Sequence, residues 1–112
     1  MKEVKAIIQP HMLTAAVRAL HELPHFPGLT VTEVTGQGRG RGAGGAYQPS
    51  ADNVFFHRKT VIEIYCEDDQ AAEIARLIHR AAHTGRKGDG IVVVRPIDGL
   101  IRVRSHPEEP AG

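Results

Sequence analysis

The chain has 112 residues, 41% of them hydrophobic, and its 24% of charged residues balance to a formal net charge of only +1. This size predicts one domain over residues 1–112, and the mixed charge with few aromatic residues argues against a nucleic-acid-binding protein. The single cysteine, Cys66, excludes an internal disulfide. The N-terminus is not typical of a signal peptide and no apolar run would span a bilayer, so a cytoplasmic protein without membrane insertion is predicted.

The first quarter of the chain predicts a strand and then a helix. From Lys2 to Gln9 the apolar residues alternate, which is typical of a strand with one buried face. Pro10 ends this strand and leads into a helix, whose apolar residues repeat at spacings of three and four: Leu13, Ala16, Val17, Leu20 and Leu23. Pro24, Pro27 and Gly28 end the helix.

Two further strands and a second helix follow. Leu29 to Val34 and Arg58 to Cys66 predict the strands, and the Cys66 thiol is expected to be buried and inert. Asp68 or Asp69 is expected to cap the second helix. Its apolar stripe consists of Ala71, Ile74, Ala75, Ile78, Ala81 and Ala82, Glu73 and Arg76 form an exposed pair, and Thr84-Gly85 closes it.

The last part of the chain predicts one more strand. Ile91 to Val94 is an unbroken β-branched run, which is typical of a strand covered on both faces. Ile97 to Arg104 predicts a shorter extended piece, in which Arg102 and Arg104 point the same way. A loose tail is expected over residues 105–112.

The order of strand, helix, strand, strand, helix, strand predicts an α+β, ferredoxin-like fold. Right-handed connections place both helices on one face of a four-stranded antiparallel sheet. The other face also carries apolar residues, such as Val61 and Tyr65, so we expect it to meet another copy of the chain. A homo-oligomer is therefore predicted.

The connection from Gly36 to Lys59 is far longer than the ~2–5 residues that a hairpin needs. It opens with a glycine-rich run that contains Arg39 and Arg41. Glycines let backbone N–H groups approach an anion and the arginines add positive charge, which suggests phosphate binding. A flexible basic loop without a ligand is equally consistent with these residues, since no P-loop spacing is present.

Four motifs in this order resemble the PII family of signal-transduction proteins. They are Lys-Glu-Val-Lys-Ala-Ile-Ile-Gln-Pro at the start, Thr30–Val34 leading to Gly36-Gln37-Gly38-Arg39, Thr84-Gly85-Arg86-Lys87-Gly88-Asp89-Gly90, and Arg102-Val103-Arg104. The resemblance spans nearly the whole chain. It implies a homotrimer with the ferredoxin-like fold, clefts between subunits that bind ATP, ADP or AMP, and a T-loop at about residues 37–58 that docks onto a target protein such as a membrane transporter.

The resemblance also assigns roles to individual residues. Gly38, Arg39, Gly88, Asp89 and Gly90 would form the phosphate cradle, and Lys59 would add a phosphate contact. Gly36 is a further nucleotide-binding candidate. Thr30 and Glu63 would lie at the base, and Arg102 and Arg104 would reach the phosphates of a neighbouring subunit. The chemistry agrees, because several Arg and Lys donors beside glycine amides suit a polyphosphate. In the T-loop, the candidate partner contacts are Arg41, Tyr47, Asp52 and Phe55.

Three departures from the family pattern change the effectors and the covalent modification that are expected for this chain. Ile91 replaces a phosphate-contacting lysine, and Gly40 replaces a glutamine that helps to hold magnesium and 2-oxoglutarate. Asp52 stands where the family has its modified tyrosine, and Tyr47 matches a different one. We therefore expect 2-oxoglutarate sensing and uridylylation to be lost, and a role for magnesium is open.

Other functions remain open at this stage. His79 and His83, four residues apart on a helix, are candidate metal ligands, although histidines near a helix C-terminus also complement the helix dipole. The alternatives are a metal-responsive trimer associated with heavy-metal efflux, a bicarbonate- or inorganic-carbon-linked regulator, and a slow ATPase. A regulatory binding module without catalytic residues is favoured, because no nucleophile with an adjacent base, no carboxylate pair and no closed metal set is present.

Overall fold

A computed structural model describes residues 1–37 and 56–108 of the chain. The predicted order of strands and helices is confirmed. In chain order the elements are β1 (Lys2–Ile8), a 3-10 turn (Pro10–Met12), α1 (Leu13–His21), β2 (Thr30–Gly36), β3 (His57–Cys66), α2 (Asp68–Ala82) and β4 (Gly90–Pro96). Element ends differ from the sequence prediction by one to three residues, which is the usual uncertainty where helices and strands fray.

The four strands form one antiparallel sheet in the order β2-β3-β1-β4, as the ferredoxin-like fold requires. β1 lies between β3 and β4, and the register pairs Val4 with Ile64 on one side and with Val94 on the other. Because successive side chains of a strand point to opposite faces, this register divides the sheet into a helix-covered face and an open face.

The hydrophobic core lies between the helices and the even-numbered residues of β1 and β3. Its members share near-complete burial: Val4, Ala6, Ile8, Ala16, Leu20, Ile62, Ile64, Cys66, Ala71, Ile74, Ile78 and Ala82. The predicted stripe of α2 therefore packs as expected, whereas in that of α1 Val17 does not belong to the core. The burial predicted for Cys66 is also confirmed, and that burial raises the pKa of its thiol.

The N-terminus of α2 differs from the prediction. Glu67, rather than Asp68 or Asp69, occupies the N-cap position, with Gln70 at N3. The Gln70 side-chain oxygen accepts a hydrogen bond from the Glu67 N–H at 3.2 Å. Asp68 instead pairs with the α-amino group of Met1 at 2.9 Å. The prediction was wrong because three successive acidic residues all suit a helix start, and only the glutamine three residues after Glu67 distinguishes the first of them.

β4 is less covered than its sequence predicts. Within one chain Ile91, Val93 and Val94 are 56%, 42% and 43% exposed. Among the described residues the strand pairs only with β1, at the edge of the sheet. α2 packs against β4, yet much of this apolar strand remains exposed in the single chain.

The segment from Ile97 to Arg104 is not a strand, which corrects the extended piece expected there. Ile97 makes one bond back to the sheet, from its N–H to the Met1 carbonyl oxygen at 3.2 Å. The chain then bends at Asp98 and turns near Val103, where the Ser105 N–H donates to the Arg102 carbonyl oxygen at 2.9 Å. An extended segment without a neighbouring strand cannot form ladder bonds.

Within the described ranges no helix is both long enough and apolar enough to cross a membrane.

Candidate functional site

The turn that joins α2 to β4 is held by the Asp89 carboxylate. It accepts hydrogen bonds from the N–H groups of Thr84 and Gly85, at 2.8 and 2.9 Å, and from the Thr84 hydroxyl. These bonds, with the Thr84 hydroxyl contributing most, lower the pKa of Asp89 to about 2. The carboxylate is therefore charged throughout the physiological range and fixes the shape of the turn.

The glycines on either side of Asp89 are required by the backbone. Gly88 has φ +88° and Gly90 has φ +108°, which side-chain-bearing residues rarely adopt. A Cβ atom on Gly90 would lie 1.7 Å from the Ile7 carbonyl oxygen, so only glycine fits against β1. Gly88 and Gly90 therefore leave the backbone of the turn uncovered by their own side chains at the end of the sheet, as a phosphate-binding turn requires.

Lys59 reaches this turn from the start of β3. Its ammonium group donates a hydrogen bond to the Gly88 carbonyl oxygen at 2.6 Å. The sequence prediction placed Lys59 and the glycine turn in one site although they are far apart in sequence, and the structure brings them into contact. Together they provide a positive charge beside exposed backbone, which suits an anion.

Thr30 and Glu63 are direct cross-strand partners on β2 and β3. Because side chains alternate along a strand, Thr30 and Glu63 lie on the same open face as Lys59. Lys59 and Glu63 are separated by about 13 Å along β3, at ~3.3 Å per residue. The Glu63 carboxylate accepts a bond of 3.3 Å from the Tyr65 hydroxyl, and both groups are accessible. The residues predicted for the base and for the phosphates thus follow one line along the open face.

Arg102 and Arg104 are not part of this line within a single chain. They border a groove of about 690 Å³ together with Tyr65 and the segment after β4. Tyr65 is six residues from Lys59 along β3, which corresponds to about 20 Å. Both arginines therefore lie near the opposite end of the sheet from Lys59 of the same chain.

An ion pair occupies the same end of the sheet as these arginines. Glu3, whose side chain is 4% exposed, accepts a hydrogen bond from Arg95 Nε at 2.5 Å.

The pKa of Tyr65 is raised, first by desolvation of its own hydroxyl and then by the nearby Glu3 and Glu63 carboxylates. Tyr65 therefore stays protonated and can donate a hydrogen bond at neutral pH.

The T-loop candidates lie outside the described residues. These are Gly38, Arg39, Arg41, Tyr47, Asp52 and Phe55, together with Gly40. The two strands that hold the loop are described up to its base, where Gly36 pairs with His57. Gly36 is therefore positioned at the foot of the loop, two residues from the pair formed by Val34 and Lys59.

The histidine pair predicted on α2 is confirmed as a spatial pair. The His79 and His83 rings lie edge to face with centroids 5.8 Å apart, and His83 Nδ1 is 3.9 Å from the Asp89 carboxylate. Both border a groove of about 600 Å³ between α2 and β4. Within residues 1–37 and 56–108, no group of three or more histidine, cysteine or acidic side chains is arranged to hold a metal ion.

One residue beside the cradle was missed by the sequence reasoning. Gln9 follows β1 directly, and its side-chain nitrogen would lie 3.0 Å from a Cβ atom placed on Gly88. The signal was present in the alternation of β1, because residues 3, 5, 7 and 9 share the open face on which Lys59 lies. It was overlooked because a glutamine at the end of a strand is usually solvated.

Comparison with known proteins gives the family. The family model described as nitrogen regulatory protein P-II matches residues 1–107. The nitrogen regulatory protein P-II of Azospirillum brasilense is 40% identical over 105 residues, which cover 94% of this chain and 93% of the relative. GlnK of Escherichia coli K12 is 37% identical over 111 residues, covering 99% and 98% of the two chains. A P-II protein of Bradyrhizobium diazoefficiens is 41% identical over 105 residues, with 94% and 93% covered. With the predicted fold observed and this match over nearly the whole chain, the chain belongs to the P-II family of nitrogen regulatory signalling proteins.

Proposed function

We propose that the chain forms a homotrimer that binds an adenine nucleotide between subunits and controls a target protein through its T-loop. The observation that carries this proposal is the 2.6 Å bond between Lys59 and the Gly88 carbonyl oxygen. Lys59 lies at the foot of the T-loop, so the bond joins the loop base to the glycine turn. A phosphate bound at the turn competes for the same ammonium group and thereby alters the anchor of the loop.

The open face and the two arginines support the trimer. Val34, Ile91 and Val93 leave apolar surface exposed on this face of the sheet. Arg102 and Arg104 lie too far from Lys59 of their own chain to contact the same nucleotide. In the proposed trimer they serve the cleft of a neighbouring subunit, and each cleft then combines the cradle of one chain with the arginines of another.

The nucleotide is proposed to be ADP, AMP or ATP without a strong preference for ATP. Ile91 follows Gly90 directly, and its exposed side chain offers no hydrogen-bond donor where the family has lysine. Gly40 has no side chain to place magnesium or 2-oxoglutarate. We accordingly propose that 2-oxoglutarate does not increase ATP affinity, and that Asp52 cannot be uridylylated.

The target is proposed to be a protein, with a membrane transporter as the first candidate. The relatives named above are regulatory proteins, and regulation requires a contact surface on the partner. Arg41, Tyr47, Asp52 and Phe55 are the proposed contacts within the T-loop. Catalysis is not part of this proposal, because the relatives named above are regulatory proteins.

Isothermal titration calorimetry with ATP, ADP and AMP tests the nucleotide site. We expect Lys59→Ala to weaken ADP and ATP at least tenfold, because it removes a charged donor. Lys2→Ala is the matched control, since Lys2 lies at the other end of β1, and it should bind like the unmodified protein. No heat of binding with any of the three nucleotides, for a folded trimeric protein, would reject the proposal.

A further inference from the structure

Gln9 is held in place by the backbone on both sides. It is the last extended residue after β1, with φ −64° and ψ 136°, and Pro10 restricts it to this conformation. Its carbonyl oxygen accepts the Met12 N–H at 3.0 Å, which fixes the start of the 3-10 turn. The side chain therefore leaves a rigid point of the chain, on the open face one residue beyond the pair of Ile8 and Thr60.

Two nitrogen atoms from different strands converge above Gly88. A Cβ atom on Gly88 would lie 3.0 Å from Gln9 Nε2 and 3.6 Å from Lys59 Nζ. Gly88 carries no such atom, so both donors approach the backbone of the turn closely. Asp89 keeps the turn in position through its bonds to Thr84 and Gly85.

An anionic oxygen suits these two donors. Lys59 Nζ offers a charge and up to three N–H groups, one of which already bonds to the Gly88 carbonyl oxygen. The Gln9 amide offers two N–H groups and no charge. An oxygen that bridges both nitrogens gains one charge-assisted and one neutral-donor hydrogen bond, and both donors are supplied by rigid elements.

We infer that Gln9 is a specificity-determining residue whose side-chain amide, together with Lys59, binds the terminal phosphate of a nucleoside di- or triphosphate. This inference rests on the proposed nucleotide site, and it identifies the terminal phosphate as the part of the ligand that Gln9 and Lys59 bind. Lys59 lies about 13 Å along β3 from Glu63, the residue proposed for the base. Over this spacing a longer phosphate chain brings more charged oxygens to Gln9 than a single phosphate does.

Calorimetry on Gln9→Ala and Gln9→Glu, with ATP, ADP and AMP, tests this assignment. Gln9→Ala should weaken the tightest-binding di- or triphosphate about tenfold, and AMP by less than twofold. Gln9→Glu has nearly the same shape but places a negative charge beside the phosphate, so it should weaken that ligand more than Gln9→Ala does. His11→Ala changes an exposed residue of the same turn and should leave all three affinities unchanged.

A double variant separates direct contact from an indirect effect. If Gln9 and Lys59 bind the same oxygen, the loss in Gln9→Ala/Lys59→Ala should be clearly smaller than the product of the two single losses. Circular dichroism and light scattering confirm fold and assembly for each variant.

The possible failures are distinguishable. Di- and triphosphate affinities that are unchanged in both Gln9→Ala and Gln9→Glu, in a protein that binds nucleotide, overturn this inference alone. An equal loss for AMP and ATP overturns the assignment to the terminal phosphate. Absence of nucleotide binding by the unmodified protein overturns the proposed function as well.

Discussion

Asp89 acts on the site by holding the turn, and this role predicts a dependence on pH. Its folded-state pKa of about 2 lies below the ordinary value of 3.8. A depressed pKa contributes stability that is present above the ordinary pKa and is lost as the pH falls through the folded value. The contribution of Asp89 should therefore be complete at pH 5 and decline between about pH 4 and pH 2.

Urea unfolding of the unmodified protein and of Asp89→Asn, followed against pH, measures this contribution. The unmodified protein should be the more stable of the two at pH 5, and the difference should shrink toward pH 2. Glu73 and Asp68 also have lowered pKa values, owing to Arg76 and to the α-amino group. Because both proteins share those groups, they cancel in the comparison. A difference that stays constant down to pH 2 would show that the Asp89 bonds do not stabilise the fold.

Ile91 gives a second prediction about a single residue. It pairs with Ile7 on the open face, and its side chain is 56% exposed immediately after the glycine turn. Ile91→Lys should add a charge-assisted contact and so favour ATP over ADP by up to ~1.5–3 kcal/mol. Calorimetry with both nucleotides measures the change. Ile91→Met, which has a similar length and no donor, should leave the ratio unchanged, and equal effects of the two substitutions would contradict the proposal.

The roles of single residues were predictable where a sequence motif contains the residue. They were not predictable where the role depends on contacts with residues that are distant in sequence. Lys59 and the glycine turn were predicted together, and their contact is observed. The hydrogen bonds that the Asp89 carboxylate accepts from Thr84 were not predicted, because they depend on how the turn curves back on the end of α2. Gln9 was missed for a related reason, since its neighbours Gly88 and Lys59 come from distant parts of the chain, the turn before β4 and the start of β3.

At the scale of elements, Gln70 connects α2 to the segment after α1. Its side-chain oxygen accepts the Glu67 N–H, and its nitrogen donates to the His25 carbonyl oxygen at 3.1 Å. His25 has φ +58°, an uncommon conformation for a residue other than glycine, so this bond supports an unfavourable stretch of backbone.

Gln70→Ala should lower the free energy of unfolding by about 1–2 kcal/mol, because it removes both the cap and the bond to His25. Gln70→Glu is the matched variant: it keeps an acceptor for the Glu67 N–H and loses only the donor to His25. Urea unfolding should place Gln70→Glu between the unmodified protein and Gln70→Ala. If Gln70→Ala is as stable as the unmodified protein, these two bonds contribute nothing measurable.

Periodicity predicted the elements well because each buries one regular face. The stripe of α2 and the alternation of β1 correspond to residues in the core or packed against it, and so does the stripe of α1 except at Val17. The extended piece after Ile97 was wrong, because a strand needs a partner and the chain leaves the sheet at Pro96. The cap of α2 was wrong because neighbouring Glu67, Asp68 and Asp69 compete for one position.

At the scale of the whole molecule, the sequence predicted the sheet and its helices, and part of the open face stays exposed in the single chain. Ile7 and Val61 lie at the centre of this face and are joined there by Ile91, Val93 and Val34. Of these, Ile91, Val93 and Val34 remain exposed. An exposed apolar face of this kind is typical of a subunit interface.

The proposed trimer can be tested on this face. Val93→Lys places a second ammonium group directly opposite Lys5, on a surface that the trimer would bury. Glu63, directly opposite Lys5 on β3, can balance only one of these two ammonium groups. Burying the second charge is costly, so the variant should dissociate to monomers at micromolar concentration. Thr14→Lys, which adds the same charge to the exposed side of α1, should leave the assembly intact. Multi-angle light scattering measures the mass of each variant.

The monomeric variant should also lose nucleotide affinity, because the arginines of each cleft come from a neighbouring subunit in the proposed trimer. A Val93→Lys variant that remains a stable trimer would place the subunit interface elsewhere.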